Sequence, residues 1–431
     1  MNSPDPESKE RALALPGSAQ ATIVLLVLAL GHTISNLVRT MPAVSADVIA
    51  ASLSITPGEV AAITGLYHLA FALGQIPVGV ALDRYSVRSV AVVLLIVIAA
   101  GAALSSVVQG AVGFSLAQLL LGLGCSGMLL CPLSYAARTQ TGASFAMWSA
   151  LVLAVGNSGM LISASPMAFV VETAGWRVAF AIPAVLAMLV ASAVWFALAG
   201  QHTPGGRAAS IWSEFIQVTR FGVSRRLRGV VFLAFVSFAV MIGIRGLWAG
   251  PWLMDVKGLG RIEAGNIILA LTVMLIVMPM AASMVDRWLQ KRTHVLLVTG
   301  HVLAGFLLLL LPLGGLNGWL SGAFSRTVMP VGYDLLLLMA FGISISVQPL
   351  LFALGRQSVP GEHAGKALAA VNLAFFAGAA VIQALSAPVV SIWGLPGVIT
   401  FLGLLSILGA LAFWWAGRGA RGAVPASLAR Q

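Results

Sequence analysis

Gly79-Val80-Ala81-Leu82-Asp83-Arg84-Tyr85-Ser86-Val87-Arg88 closes one long apolar run and opens the next, and Val285-Asp286-Arg287-Trp288-Leu289-Gln290-Lys291-Arg292 does the same in the second half of the chain. Superposing Asp83 on Asp286 also brings Arg84 onto Arg287 and Arg88 onto Lys291. Two further segments match in the same order. Gly156 and Pro166 fall over Gly378 and Pro388, and Arg39 with Asp47 has a counterpart in Arg245 with Asp255. One such agreement is chance; three in the same order signal a duplicated unit.

Outward from these loops the chain is a succession of apolar runs near the roughly 20 residues that cross a bilayer as helix. Hydropathy and polar breaks predict twelve spans, at 19–45, 57–82, 88–109, 111–136, 142–170 and 177–200, then 227–254, 262–285, 293–315, 329–355, 361–389 and 395–416. With 59% hydrophobic and 9% charged residues in 431, a soluble surface is excluded, and the fold class is an all-α polytopic membrane protein. Residues 1–18 read as a disordered tail with no cleavable leader, and 418–431 as a second tail. Residues 19–200 and 227–417 read as two six-helix bundles, the two halves of an internally repeated carrier architecture. The connection 201–226 carries Ile211, Trp212, Phe215 and Ile216 at the spacing of a surface-lying amphipathic helix.

Basic residues set the orientation. Of 24 lysines and arginines, 18 fall on the side of the termini and the 201–226 loop, which places that side in the cytoplasm of a bacterial-type inner membrane. The net charge of +11 is thus a matter of topology and calls for no nucleic acid. Cys125 and Cys131, six positions apart in one apolar run, form neither a disulfide framework nor a metal-ligand spacing and read as core residues.

Against this background Arg39 in span 1 and Arg245 in span 7 stand out. An arginine at a bilayer centre costs roughly 3 kcal/mol on translocon scales, so it is rare unless it faces a partner, a ligand or a water-filled cavity. His32, Asn36 and Arg39 follow i, i+4, i+7 and share one helical face, as Met241, Arg245, Trp248 and Trp252 do in span 7. The guanidinium fork suits bidentate recognition of a carboxylate. The competing reading is that each arginine snorkels from a span end or pairs with an acid. Trp248 is a candidate contact for an apolar part of a substrate, and Trp252, nearer the membrane edge, reads as an interfacial-belt aromatic.

The Gly79…Asp83-Arg84…Arg88 loop, with its weaker copy at Asp286-Arg287, resembles the signature between helices 2 and 3 of the major facilitator superfamily. The resemblance implies two pseudo-symmetric six-helix bundles rocking about a central substrate site. It also implies that Asp83, Arg84 and Arg88 belong to a charge cluster that helps hold the outward-open state, with Asp286 and Arg287 as its second-half equivalent. Ser86 and Val87 replace the usual glycine and basic residue of that loop. Asn36-Leu37-Val38-Arg39 and Arg245-Gly246-Leu247-Trp248-Ala249-Gly250-Pro251-Trp252-Leu253-Met254-Asp255-Val256 are similar to helices 1 and 7 of organophosphate and organic-anion transporters, where an arginine from each helix clamps the anionic group. Thr40 and Gln75 stand where those transporters carry lysines, which favours a carboxylate or other monoanion over a phosphate ester. The same architecture lines the cavity with helices 1, 2, 4, 5, 7, 8, 10 and 11. It makes Tyr67, Gln75, Asn157, Gln348 and Asn372 further candidates, and demotes His301 on peripheral helix 9.

The expectation is therefore a secondary active transporter, taking up a small organic anion by alternating access, working as a monomer in the bilayer and coupled to protons. No cofactor or metal is expected, and nothing supports an enzyme: no nucleotide loop, hydrolytic triad or zinc-type cluster is present. Other readings stay open. Met274, Met278, Met280 and Met284 in span 8 suit soft copper(I), which would make a metal importer. A drug/proton antiporter would carry a glycine-proline signature in span 5, where Gly156-Asn157-Ser158-Gly159 runs on without proline until Pro166. A sensor on the same fold would bind without transporting. For coupling, His32 and His68 are titratable groups within the spans.

Overall fold

The computed structural model describes residues 19–140, 142–199, 210–290, 292–360 and 363–421, so the tail 1–18 and the last ten residues lie outside it. Among the described residues every regular element is helical. The first half holds α1 (Ala19–Thr40, continued by a 3-10 turn Met41–Val44), α2 (Pro57–Arg84), α3 (Val87–Val107), α4 (Ala111–Thr139), α5 (Gly142–Ile162 and Ser165–Ala174) and α6 (Trp176–Ala197). The second holds α7 (Arg228–Val256), α8 (Arg261–Trp288), α9 (Thr293–Leu313), α10 (Val331–Gln357) and the segment Ala364–Arg421. Among the described residues eleven helices are long and apolar enough to span a membrane, and the eleventh is two crossings joined end to end. Gly394, at φ 65°, turns the chain between them, a backbone region open cheaply only to glycine; residues 364–393 form α11 and 395–421 form α12. The last helix thus runs on through Arg421, beyond the boundary at 417 expected from composition. Between the halves lies the helix Ile211–Gly222, with Ile211, Trp212 and Ile216 exposed and Gln217 accepting a hydrogen bond from Lys366 of α11.

Local chemistry starts these helices where the sequence changes character. At α2, Thr56 and Glu59 form a reciprocal capping box in front of Pro57, whose missing N–H costs nothing at that position. Ser86 accepts from the Ser89 N–H at 3.2 Å and starts α3.

The repeat read from the sequence is also a repeat of packing. Gly156 of α5 lies against the His32 ring of α1, where a Cβ would sit 1.9 Å from it, and Gly378 of α11 lies against the Phe235 carbonyl of α7, where a Cβ would sit 1.8 Å away. α4 and α10 break alike, at 126–129 and 346–349. Upstream of each break, Gly122 meets the Tyr67 carbonyl of α2 and Gly342 meets Leu271 of α8. Small residues that let two backbones approach are the usual device for helix association in lipid.

We call the side of the termini and the Ile211–Gly222 helix the loop side, and the opposite one the far side. The halves meet firmly on the far side. Arg261 of α8 grips Asp47 with two hydrogen bonds of 2.7 Å, donates a third to the Val44 carbonyl, and reaches Glu172 of α5 at 3.0 Å. Gly250 of α7 lies so close to the Ala43 carbonyl that a Cβ there would be 1.5 Å from it, and Ser165 of α5 donates to Asn266 of α8 at 2.6 Å. Along α2 and α11 contact continues inward, from Gly58 against Ala387 through Gly65 against Ala380 to the stacked rings of Phe71 and Phe376 and a hydrogen bond from Asn372 to Gln75.

On the loop side the expected charge cluster takes another form. Asp83 and Arg84 are exposed and make no ion pair among the described residues, while the Arg88 guanidinium sits 3.7 Å over the Trp195 ring of α6. Arg287 is likewise exposed, and buried Asp286 accepts from Thr293 at 3.0 Å. Among the described residues the ionic latch between the halves is therefore the far-side one at Arg261.

Two sequence expectations in the second half need correction. Trp252 is no belt residue: it is fully buried, donating to Asp334 at 2.8 Å because the turn that carries it points inward. Asp334, three residues into α10, is a buried carboxylate that hydropathy alone passed over, and Lys257 pairs with it at 2.8 Å while donating to the Gly314 and Met329 carbonyls. Removing one member of such a pair leaves the other charged and unmatched. Lys257→Met is thus expected to destabilise the fold by about 3–5 kcal/mol, with Lys257→Met/Asp334→Leu recovering most of it, both read from thermal unfolding in detergent. Met280 and Met284 are exposed on α8 rather than gathered around one point, so the methionines do not form a metal cage, and Cys125 and Cys131 are buried free thiols.

Candidate functional site

Both arginines sit where their helices lose regularity. α1 passes from α-helix to a 3-10 turn just after Arg39, at Pro42. α7 widens into two π-turns, Ile244–Trp248 and Trp252–Val256, the first of which carries Arg245 and Trp248. π-Turns inside α-helices gather at functional sites because they re-aim side chains at the cost of ideal hydrogen bonds. The 3-10 turn of α1 packs against the π-turn of α7, so the segments that carry the two arginines meet across the halves.

α5 completes the arrangement. Pro166 cannot donate to the helical ladder, and the helix breaks at Ser163-Ala164. There the Ala164 N–H turns to the Leu161 carbonyl, and the Met160 carbonyl instead accepts from the Ser163 hydroxyl at 2.9 Å and from Arg245 Nη2. Arg245 Nη2 also reaches Ser163 Oγ at 3.0 Å, and Ser163 Oγ is 2.6 Å from Thr40 Oγ1, so a short polar chain links α1, α5 and α7.

Around Arg39 the partners are neutral. Nη2 donates to Asn36 Oδ1, while Asn36 Nδ2 donates to the Gly156 carbonyl at 2.9 Å and approaches His32 Nε2 at 3.3 Å and Asn157 Oδ1 at 3.5 Å. The guanidinium carbon lies 5.9 Å from the centre of the Phe238 ring and 5.6 Å from that of Phe376, within cation–π range. Arg39 Nε, Arg245 Nε and Arg245 Nη1 are buried and have no hydrogen-bond partner among the described residues, and the same holds for Trp248 Nε1 and Gln348 Nε2. Neither arginine pairs with a carboxylate: the ion pairs among the described residues are those of Lys257 and Arg261. Two arginines thus stand in an apolar interior with donors to spare and no carboxylate partner, where an unmatched charge is costly.

The predicted residues divide accordingly. His32, Asn36, Arg39 and Asn157 form one hydrogen-bonded group, with His32 seated in the Gly156 notch, and Arg245 joins them through α5. Trp248 and Gln348 are buried, Gln348 in the break of α10. Tyr67 turns to α1, its hydroxyl 3.4 Å from the Ser35 carbonyl. Gln75 and Asn372 bind each other across the halves rather than standing free. His301 packs in the second half, 2.7 Å from Ser237 Oγ.

The family model of the Major Facilitator Superfamily matches residues 24–383. The chain belongs to this superfamily. As a major facilitator protein it is a multi-pass membrane transporter, not an enzyme, and solved structures share its fold over nearly the whole length. A POT family transporter in complex with a thioalcohol-conjugated peptide superposes with a TM-score of 0.73 at 14% identity, covering 92% of this chain and 96% of that one. A bacterial homolog of the human lysosomal transporter Spinster, in an inward-facing and unoccupied conformation, gives 0.72 at 14% identity over 94% and 98%. A peptide transporter POT in complex with sulfate gives 0.74 at 14% identity over 97% and 99%. Comparison with curated proteins gives no match.

Proposed function

We propose that this major facilitator protein carries a small organic anion, a carboxylate rather than a phosphate ester, with Arg39 and Arg245 as its charge clamp. The observation behind this reading is the pair of guanidiniums from opposite halves, Arg245 buried and Arg39 half-buried, holding three buried donors and no acid among the described residues. Thr40 and Gln75, in the places of the lysines of organophosphate carriers, are engaged with Ser163 and Asn372, so the site offers two positive charges and suits a monoanion. Asn36, His32 and Asn157 position Arg39, and we assign Trp248, Tyr67 and Gln348 as further substrate contacts. The basic-residue asymmetry supports a bacterial-type inner membrane with both termini and the loop side cytoplasmic. On that orientation the far-side latch at Arg261 closes the outside, and the direction we infer is uptake, coupled to protons.

A peptide is the second reading, since solved relatives bear that name and a peptide ends in a carboxylate. Its ammonium end would need an acid. Among the described residues Asp47 and Glu172 bind Arg261, Asp334 binds Lys257, Glu59 and Glu263 cap helices, Asp286 binds Thr293 at a span end, Asp83 and Asp255 are exposed at span ends, and Glu214 lies on the loop-side helix Ile211–Gly222, leaving the clamp without one. A thermal-shift screen of monocarboxylates, dicarboxylates, sulfonates, phosphate esters and dipeptides separates these readings, followed by uptake of the best ligand into proteoliposomes. Stabilisation by monocarboxylates together with accumulation is the expected result. Stabilisation by dipeptides alone overturns the anion reading, and binding without accumulation marks a sensor.

A further inference from the structure

We infer that the substrate's body is an aromatic ring, seated among Phe71, Phe238 and Phe376 with its carboxylate on Arg39 and Arg245; this rests on the anion reading above. Phe238 precedes Arg245 by seven residues, two helical turns on the same face, which is about 10 Å along the axis. That spacing fits a ring joined to a carboxylate by a short link. Arg39 is close to two ring faces at once while its Nε has no partner, so one side chain addresses the charge and the π-system together.

The three rings come from three helices and both halves. Phe71 belongs to α2, Phe238 to α7 and Phe376 to α11, with centroids 3.8 Å apart for Phe71 and Phe376 and 4.8 Å for Phe238 and Phe376. When the halves rock, the Phe71–Phe376 contact, which joins opposite halves, must part, while Phe238 and Phe376 stay together in the second half. An incoming aromatic ring replaces each lost ring contact with an equivalent one, whereas an aliphatic chain does not. His68, with its ring 6.3 Å from that of Phe376 and nearly parallel to it, extends the same wall. A plug that served only to seal the path would have no use for a guanidinium over its faces.

The test measures Kd by thermal shift on the full chain for benzoate, phenylacetate, cyclohexanecarboxylate and acetate. Benzoate or phenylacetate should bind at least tenfold more tightly than cyclohexanecarboxylate, which has the same bulk without the π-faces. Phe376→Leu, and independently Phe238→Leu, should reduce that ratio to near one. Equal affinity for benzoate and cyclohexanecarboxylate, or a ratio untouched by both leucine variants, overturns the ring and leaves the anion clamp standing. If no carboxylate binds, the clamp itself falls, and the ring with it.

Discussion

Arg245→Gln is expected to abolish carboxylate-dependent stabilisation and uptake while the protein still folds. Taking one partner from a buried, hydrogen-bonded charge pair costs about 2–5 kcal/mol, which is roughly thirty- to several-thousand-fold in affinity. Arg245 is fully buried, and its Nε and Nη1 have no other partner, so the whole of that loss falls on the anion. Arg39→Gln should behave alike, with a smaller loss, because Arg39 is less deeply enclosed and sits beside Phe238 and Phe376. Arg245→Lys preserves the charge but not the fork, and is expected to fall between the two. Titration of the melting temperature with a carboxylate measures all three; wild-type affinity in both glutamine variants would remove the clamp from consideration.

Gly250→Ala is the second substitution with a large expected effect. A single methyl group there would stand 1.5 Å from the Ala43 carbonyl, and both atoms belong to backbones that cannot swing aside. The contact joins the two halves and lies within neither, so each bundle folds as before but the far side does not close. Uptake should drop by at least an order of magnitude. Spin labels at Thr173→Cys and Ala323→Cys on the far-side ends of the two halves should report a longer mean distance than in the unsubstituted protein. Gly79→Ala is the matched control, since nothing lies within 4 Å of a Cβ at that position. Unchanged label distances and uptake in Gly250→Ala would show that the far side closes by some other contact.

Much of the fold was legible because lipid imposes it: the apolar runs, the loop pair at Asp83 and Asp286, and the Gly156 and Gly378 counterparts each reappear as helices, turns and close packing. The arginines were legible for the same reason, since their cost in lipid marks them. The aromatic wall was not, although its spacing is simple. Phe71 lies midway between Tyr67 and Gln75, and Phe376 follows Asn372 by four, so each sits on the very face that its polar neighbours marked. An apolar side chain in an apolar span carries no such cost, and only the fold shows which ones face each other. Ser163 and the Met160 carbonyl escaped for a different reason: a backbone acceptor has no letter in the sequence, and Pro166 is its one signal. Asp334 was hidden by its position at a span end, where acids are ordinarily solvated.

The Met160 carbonyl has one more implication. It gives Arg245 a neutral oxygen on the opposite half, so the guanidinium can be satisfied across the interface by the protein's own backbone. A carboxylate on the free Nε and Nη1 leaves Nη2 on that carbonyl, so the guanidinium keeps this neutral partner with or without cargo. On the anion reading proposed above, an unladen return stroke leaves Arg245 with this one neutral partner, and net uptake without exchange is the expected behaviour in proteoliposomes loaded with no internal substrate.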